Sequence, residues 1–215
     1  MLVGKLPSQK VFIDANIVAN WIAITKRIEE FPEEKRGLAL SNLKDKNCRA
    51  SEAFEFLEAI INNKFADFSF VFTPLCFTEI VSALFKKYIY DVMHENDIPP
   101  EDYPSFKHSK KITDEDLLII ADSAKNQLEK IKGKINVIAC GDLTTAQKIN
   151  SYSFLFLVKL RAKSHDAFLL GEAVGMQGHY FITNDNHLIG KAKLVGINEI
   201  KLVKPRHFFL DFKAK

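Results

Sequence analysis

The stretch "KVFIDANIV", residues 10–18, places an acidic residue, Asp14, directly after a short apolar run. The run at 11–13 has the β-branched and aromatic composition that favours a buried strand. Helix capping or a local turn would explain an isolated aspartate at the end of such a strand. A cation bound at the edge of a sheet is the other explanation, and the remaining sequence bears on the choice between them.

The rest of the chain continues the alternation of strand and helix that begins there. Runs of strand length recur at 68–72, 136–139 and 180–183. Helical patterns lie between them and begin near residues 16, 51, 74, 114, 143 and 164. Thr73, Thr113 and Ser164 are the expected N-caps of three of these helices, and the last is predicted to close at Gly178. This order predicts an α/β fold with a central, mostly parallel sheet of about four to five strands flanked by helices.

Composition narrows the class of protein without naming a function. The 215 residues are 47% hydrophobic and 27% charged, which is typical of a soluble globular protein, and we expect one domain over 1–215. The formal net charge of +3 permits a nucleic-acid partner without requiring one. Three widely spaced cysteines and the lack of a long apolar run favour a reduced, cytoplasmic protein without membrane association.

Four acidic residues are predicted to converge beyond the carboxyl ends of the strands: Asp14, Glu79, Asp166 and Asp185. Each one alone has a simpler explanation as a cap, a turn residue or a solvated helix residue. Glu79 and Asp166, however, are embedded among apolar residues, where an unpaired charge is costly. Carboxylates gathered in one place repel one another unless a cation neutralises them. Hard oxygen ligands favour Mg²⁺ or Mn²⁺, and no Cys/His spacing typical of zinc is present.

At these residues the chain resembles the PIN-domain family of metal-dependent nucleases. The resemblance runs in order through the segments "FIDANIV", "TPLCFTEIV", "SHDAFLLGEAVGMQG", "YFITNDNHL" and "IKLVKPRHFF". Each segment is weak by itself, and the combination of order and element type carries the resemblance. It implies a PIN-like fold and an endoribonuclease that hydrolyses phosphodiester bonds, usually in RNA.

The resemblance also implies roles for individual residues. The four acids would be catalytic and would bind one or two Mg²⁺ or Mn²⁺ ions, which activate a water molecule for the attack on phosphorus. Asn16 and Thr183 would orient these carboxylates or their waters. His165, next to Asp166 in the sequence, is expected to be a surface group or to support the ligands from outside rather than to bind an ion. The family further implies RNA as a partner, and it allows an antitoxin, another protein partner or a homodimer.

The chain departs from the compact VapC-type toxins of that family in its spacing. The separations from Asp14 to Glu79 and from Glu79 to Asp166 are longer. We interpret the extra residues, near 31–50 and 89–135, as polar or helical insertions in the PIN-like domain. They would form a substrate wall, a dimer face or a docking site for a partner.

Basic and aromatic residues are the candidates for contacts with a substrate. The predicted substrate-binding residues are Lys86, Lys87, Lys110 and Lys111, and further candidates are Lys191, Lys193, Lys204 and Arg206. A solvated lysine face is the simpler explanation for any one of these clusters. Tyr103 and Phe106 would either stack on a base or pack their own loop against the protein.

Three other classes of protein are alternatives to a nuclease. A haloacid-dehalogenase-like phosphatase needs a second aspartate two residues after the first, and this chain has Asn16 there. A response-regulator receiver needs an early pair of adjacent acids, which "KLPSQKVFIDAN" lacks. The remaining alternative is a catalytically inactive PIN-like scaffold that binds RNA or a protein partner.

Overall fold

A computed structural model describes residues 8–46, 48–106 and 113–212 of the chain. Five strands lie within these residues: β1 (Gln9–Ile13), β2 (Phe68–Phe72), β3 (Ile135–Val137), β4 (Tyr180–Ile182) and β5 (Lys201–Val203). They form one sheet in the order β3-β2-β1-β4-β5, and every pair of neighbours is parallel. The predicted α/β class is therefore confirmed, with a sheet that is wholly parallel.

Helices connect and cover these strands. In the described part of the chain they are α1 (Ala15–Glu29), α2 (Arg36–Lys46), α3 (Cys48–Ile61), α4 (Pro74–Glu95), α5 (Tyr103–Phe106), α6 (Asp114–Ile131), α7 (Leu143–Leu160), α8 (Ser164–Gly175), α9 (Asn186–Val195) and α10 (Pro205–Phe212). Short 3₁₀ turns lie at Glu33–Lys35 and Pro100–Asp102. None of these helices combines the length and apolar character needed to cross a membrane.

Two predicted helix boundaries differ from the structure. Lys163 precedes α8, so Ser164 is the first residue of the helix and not its N-cap. The helix ends at Gly175, and Gly178 lies beyond it, where its backbone N–H donates to the carbonyl of Ala173. Both differences are small. They arise because the last turn of a helix often becomes a tighter turn, and the spacing of apolar residues in the sequence does not distinguish the two. Thr113, in contrast, caps α6 as predicted, through a reciprocal capping box.

The order of the strands places a crevice between β1 and β4. The chain runs from β1 outward through β2 to β3, and then crosses back to β4 on the other side of β1. Helices α1, α3 and α4 pack together, whereas α7 packs on α8 and α9. Because right-handed crossovers in opposite directions put their helices on opposite faces, the two groups separate above the ends of β1 and β4. Ligands of open parallel sheets bind at such a point.

An aromatic core fastens the end of the chain to the sheet. Phe208 of α10 is fully buried, and its ring lies 5.5–6.2 Å between centroids from those of Phe56, Phe65 and Phe70. Burial of rings of this size supplies a large share of the hydrophobic stabilisation of a core. Helix α10 thereby holds β5, and through it β4, in place.

Helices α7 and α8 approach each other closely because α8 carries glycines four residues apart. A Cβ atom on Gly171 would lie 2.8 Å from the carbonyl oxygen of Ile149, and one on Gly175 would lie 2.6 Å from the Ile149 side chain. The backbone of α7 cannot yield easily, so these positions require glycine. The contact sets the position of α8 over the sheet, and with it the position of Asp166.

We expect Gly171→Ala to destabilise the protein by about 1–3 kcal/mol, because the added methyl group collides with the α7 backbone. Gly190→Ala is the matched control: it lies inside α9 with no atom within 4 Å of the new Cβ. That substitution should be neutral or stabilise by up to about 1 kcal/mol. Urea denaturation of both variants measures the difference. Equal stability of the two variants would contradict the close packing of α7 on α8.

Candidate metal-binding site

Asp14 lies at the carboxyl end of β1, and two neighbours hold its side chain. Its backbone N–H donates to the carbonyl of Ile182 at 2.9 Å, which continues the pairing of β1 with β4. The Thr183 hydroxyl donates to Oδ2 of Asp14 at 2.5 Å, and the Asn16 amide donates to the same oxygen at 2.6 Å. Asp14 precedes α1, but its carboxylate makes no capping bond to that helix. A capping bond therefore does not explain Asp14, although the backbone N–H of Asn16, two residues on, acts on its carboxylate.

Asp185 combines the capping role with a place in the same network. Its Oδ1 accepts from the backbone N–H groups of His187 and Leu188 at 2.8 and 3.0 Å, which caps α9. Its own N–H donates to the Thr183 hydroxyl oxygen at 3.0 Å. Thr183 thus joins Asp185 to Asp14 across the ends of neighbouring strands.

Glu79 and Asp166 reach the site from helices on either side. Glu79 lies in the second turn of α4, and Asp166 lies in the first turn of α8. Both carboxylates are mostly shielded from solvent, with His165 between them. Its Nε2 lies 3.9 Å from Oε1 of Glu79 and 3.7 Å from Oδ1 of Asp166. His165 is about half exposed, as expected for a residue beside the acids.

The acids act on one another through their charges. Burial, together with the charges of Glu79 and Asp166, raises the pKa of Asp14 from its ordinary 3.8 to about 7, against the lowering effect of the hydrogen bonds from the Thr183 hydroxyl and the Asn16 backbone N–H. In the described residues, the only side chain that forms an ion pair with one of the four predicted acids is His165. The site therefore holds more negative charge than its protein partners neutralise.

The two helical acids share this behaviour. Burial is the main cause of a raised pKa at Glu79. The charges of Asp166 and Glu172 raise this pKa as well, whereas the charge of His165 lowers it. Burial likewise raises the pKa of Asp166, which the charge of Asp185 raises further. Charge coupling thus links the four acids predicted from the sequence as a chain, in which Asp14 is coupled to Glu79 and Asp166, and Asp166 to Asp185.

Glu172 is a fifth acid that the sequence analysis missed. It is half-buried on α8, and its Oε2 accepts a 2.5 Å hydrogen bond from the buried hydroxyl of Thr73. Thr73 precedes α4 as predicted, but its hydroxyl makes no capping bond and turns to α8 instead. Burial raises the pKa of Glu172. The acid stands in the apolar run "LLGEAVG", the same pattern that singled out Glu79, so the sequence contained the signal.

The predicted lysines of α4 lie away from the acids. Lys86 and Lys87 follow Glu79 by seven and eight residues, which is roughly 10–12 Å along a helix axis. Lys87 pairs with Asp91 at 2.7 Å, and Nζ of Lys86 lies 5.8 Å from the ring centre of Tyr103. Their role in binding a substrate stays a prediction.

Two other lysines lie closer to the site. Positive charge on Lys163 and Lys191 lowers the pKa of Asp166, which places both near that carboxylate. Lys191 was among the sequence candidates, whereas Lys163 was not, because nothing in its local pattern distinguishes it from a solvated residue. The predicted Lys110 and Lys111 lie outside the described residues.

The aromatic candidates near residue 105 mainly pack their own segment. Phe106 is buried with Ile89 and Met93, which confirms the packing alternative for that residue. Tyr103 stacks on Tyr90 with ring centroids 4.7 Å apart. That stacking occupies one face of the Tyr103 ring.

The chemistry of the acid cluster fits a hydrated Mg²⁺ or Mn²⁺ ion. Its donors are carboxylate oxygens, which these ions prefer, and such ions keep several waters and use few direct carboxylates. Within residues 8–46, 48–106 and 113–212, no three His, Cys, Asp or Glu side chains lie close enough together to enclose an ion directly. The arrangement is thus one of neighbouring acids around a shared edge, without a closed cage.

Comparison with known proteins does not assign this site. A scan against models of protein families found no match, and a search of curated proteins found no significant relative. The resemblance to the PIN-domain family therefore rests on the residues quoted above.

The raised pKa of Asp14 makes the stability of the metal-free protein depend on pH. Between about pH 4 and 7 the folded state holds a proton on Asp14 that the unfolded chain has lost. Stability should therefore fall as the pH rises through this window, and the full cost, on the order of a few kcal/mol, should be present above pH 7. Asp14→Asn removes this cost, so the variant should be more stable than wild type at pH 8 and lose that advantage towards pH 5.

Urea denaturation in EDTA at pH 5 and pH 8 measures this difference. Asp122→Asn, which neutralises an exposed carboxylate on α6, is the matched control and should change neither value by more than about 0.5 kcal/mol. A gap between Asp14→Asn and wild type that is the same at both pH values would show that Asp14 does not carry the raised pKa.

The bond between Thr73 and Glu172 should contribute to the docking of α4 on α8. Glu172→Ala leaves the buried Thr73 hydroxyl without its acceptor, so we expect a loss of about 1–3 kcal/mol in the free energy of unfolding. Glu172→Gln keeps an acceptor oxygen and should lose less. Denaturation at pH 7 compares the two variants. Equal losses would indicate that Glu172 acts through packing and not through this hydrogen bond.

Proposed function

We propose that this chain is a Mg²⁺- or Mn²⁺-dependent nuclease that hydrolyses phosphodiester bonds in RNA. The observation that carries the proposal is the buried carboxylate of Asp14. It lies at the point where the strand order reverses, Thr183 and Asn16 hold it in place, and the charges of Glu79 and Asp166 act upon it. A structural role as a helix cap does not account for it.

Physical chemistry favours a cation at this position. A carboxylate that is buried and surrounded by like charges is unfavourable in its ionised form, as its raised pKa expresses. A divalent ion would reverse this balance by stabilising the ionised form of every acid around it. The proposed binding residues are Asp14, Glu79, Asp166 and Asp185. Bound there, one or two ions would supply an activated water and positive charge beside the phosphate.

The protein's own groups would position the acids and the substrate. Thr183 and Asn16 fix the rotation of the Asp14 carboxylate through their bonds to Oδ2. Lys163 and Lys191, whose charges reach Asp166, are the best placed of the described lysines to hold a phosphate of the RNA backbone. Asp185 is held by the N-terminus of α9, so its free rotation is limited.

Wild-type protein should cut a labelled, mixed-sequence single-stranded RNA in the presence of Mn²⁺ or Mg²⁺, and EDTA should stop the cleavage. Asp14→Asn should lower the rate by about 100-fold or more, because loss of even an outer partner of a metal site costs up to that much. Gel analysis of the labelled products measures the rate. Asp122→Asn on α6 is the matched control and should cut like wild type.

Lysine variants separate binding from chemistry in the same assay. Lys163→Ala and Lys191→Ala should raise KM and leave kcat nearly unchanged, because a phosphate contact of this kind acts on bound substrate and transition state alike.

An Asp14→Asn protein that cuts as fast as wild type would remove Asp14 from the mechanism.

An inactive scaffold that binds RNA or a protein is the second candidate. The observation in its favour is that no three acids in the described residues enclose a site for an ion as they stand. The scaffold predicts RNA binding without cleavage under every divalent metal. Calorimetric titration of the protein with Mn²⁺ adds an independent readout. The nuclease predicts that wild type binds Mn²⁺ and that Asp14→Asn weakens this binding, whereas the scaffold requires no Mn²⁺ binding.

A further inference from the structure

An apolar groove lies between α4, α6 and β3, an edge strand of the sheet. It has a volume of about 650 Å³, within the usual range for binding sites. The apolar lining comes from all three elements: Pro74 and Phe77 of α4, Leu128 and Ile131 of α6, and Ile135 and Val137 of β3. Two of these side chains, Phe77 and Val137, are 37% and 60% exposed, so solvent reaches the groove. The groove is therefore an accessible apolar site at the rim of the sheet.

The direction of the backbone groups of β3 follows from one hydrogen bond. The N–H of Ile138 donates to the carbonyl of Phe72 on β2 at 3.0 Å. Successive residues of a strand in a parallel sheet turn their N–H and C=O groups alternately to the two sides. Val137, the preceding residue, therefore turns both groups away from β2. Among the described residues, no strand lies on that side of β3.

The edge of β3 is open at one end. Ile135, the other residue of β3 that faces outward, is bridged to Lys132 just after α6. In residues 8–46, 48–106 and 113–212, no backbone hydrogen bond reaches the outer groups of Val137. Unpaired edge groups of this kind are a template for another strand. Because Val137 also lines the groove, the open edge and the apolar site adjoin each other.

An extended peptide would satisfy both features at once. Its backbone would pair with Val137, and alternate side chains of the same segment would enter the groove, as they do where a peptide extends a sheet. A helix or a small apolar molecule would fill the groove but leave the outer backbone groups of Val137 unpaired. We propose that this groove binds a short extended segment of a partner protein, with apolar residues at alternate positions.

Charge and size favour a different protein over a second copy of this chain. Glu129 pairs with Lys132 at 2.9 Å, so Lys125 gives the lining one net positive charge. A second copy bound edge to edge would bring two such lysines together, whereas an acidic residue of a partner would be attracted. β3 has 3 residues, roughly 10 Å, which suits a short peptide better than the 1,200 Å² or more, as an order of magnitude, that a stable dimer buries. The expected segment therefore carries an acid beside its apolar residues.

Random short peptides displayed on phage supply the probe. The library is selected on the wild-type protein, and the tightest binder is synthesised with a fluorescent label. We expect its sequence to carry apolar residues at every second position and an acidic residue nearby. Fluorescence anisotropy then measures the affinity of this peptide for wild type and for variants of the groove.

Val137→Pro should weaken binding of the peptide by about 10-fold or more, because proline removes the outward N–H that a strand would pair with. The fold should tolerate this change, since that N–H takes no part in the pairing with β2. Val137→Thr keeps the N–H and is the matched control, with an expected change below about 3-fold. Phe77→Ala removes part of the apolar wall and should weaken binding by about 10-fold.

Methylation of the peptide's own backbone nitrogens, one at a time, tests the pairing on the wild-type protein. A strand turns every second N–H towards its neighbour, so the loss of affinity should alternate along the peptide. This measurement stands even if Val137→Pro fails to fold, which thermal unfolding of the variant checks. Phe154→Ala, on the exposed surface of α7, controls for general apolar binding and should change nothing.

Other occupants of the groove would give different results. Equal binding to wild type and to a folded Val137→Pro, or losses on methylation that do not alternate, overturns the added strand. A selection that enriches no peptide dependent on Phe77 does so as well. A dimer in sedimentation that Val137→Pro abolishes assigns the edge to a second copy instead. None of these results bears on the nuclease, which the Asp14→Asn assays test separately.

Discussion

The parallel pairing of β1 with β4 is the constraint on which the site depends. It places Asp14, the residue after β1, beside Thr183, the residue after β4, so that a carboxylate and a hydroxyl meet where the strand order reverses. A shift of one residue in this register would turn Asp14 to the other face of the sheet. The aromatic core that holds α10 and β5 supports that register from the outer side of β4.

Burial and hydrogen bonding act on Asp14 in opposite directions, and burial is the stronger. Thr183 and Asn16 favour the charged form, but removal from water and the charges of Glu79 and Asp166 raise the pKa to about 7. An ionised, buried Asp14 lowers the stability of the folded protein. Carboxylates with strongly shifted pKa values are common at functional sites.

Much of the fold and part of the site could be predicted from local patterns. The alternation of strand and helix follows from the period of apolar residues along the chain, which also shows Asp14 directly after β1 and Asp185 three residues after β4. The embedding of Glu79 in an apolar run marked it without any structure. Glu172 stands in a similar run and was missed, because its partner Thr73 was assigned to capping α4. The role of the lysines stays a prediction, since an exposed lysine has the same sequence pattern whether or not it lies near the acids.

The sequence by itself determined the class of the fold, the edge of the sheet at which acids would gather, and the oxygen chemistry of that edge. Only the tertiary structure decided that Asp14 makes no side-chain cap and that Thr73 bonds to Glu172 across 99 residues of chain. The physical reason is that helix and strand periods are local properties. Burial, charge coupling and hydrogen bonds between distant segments exist only once packing has fixed where those segments meet.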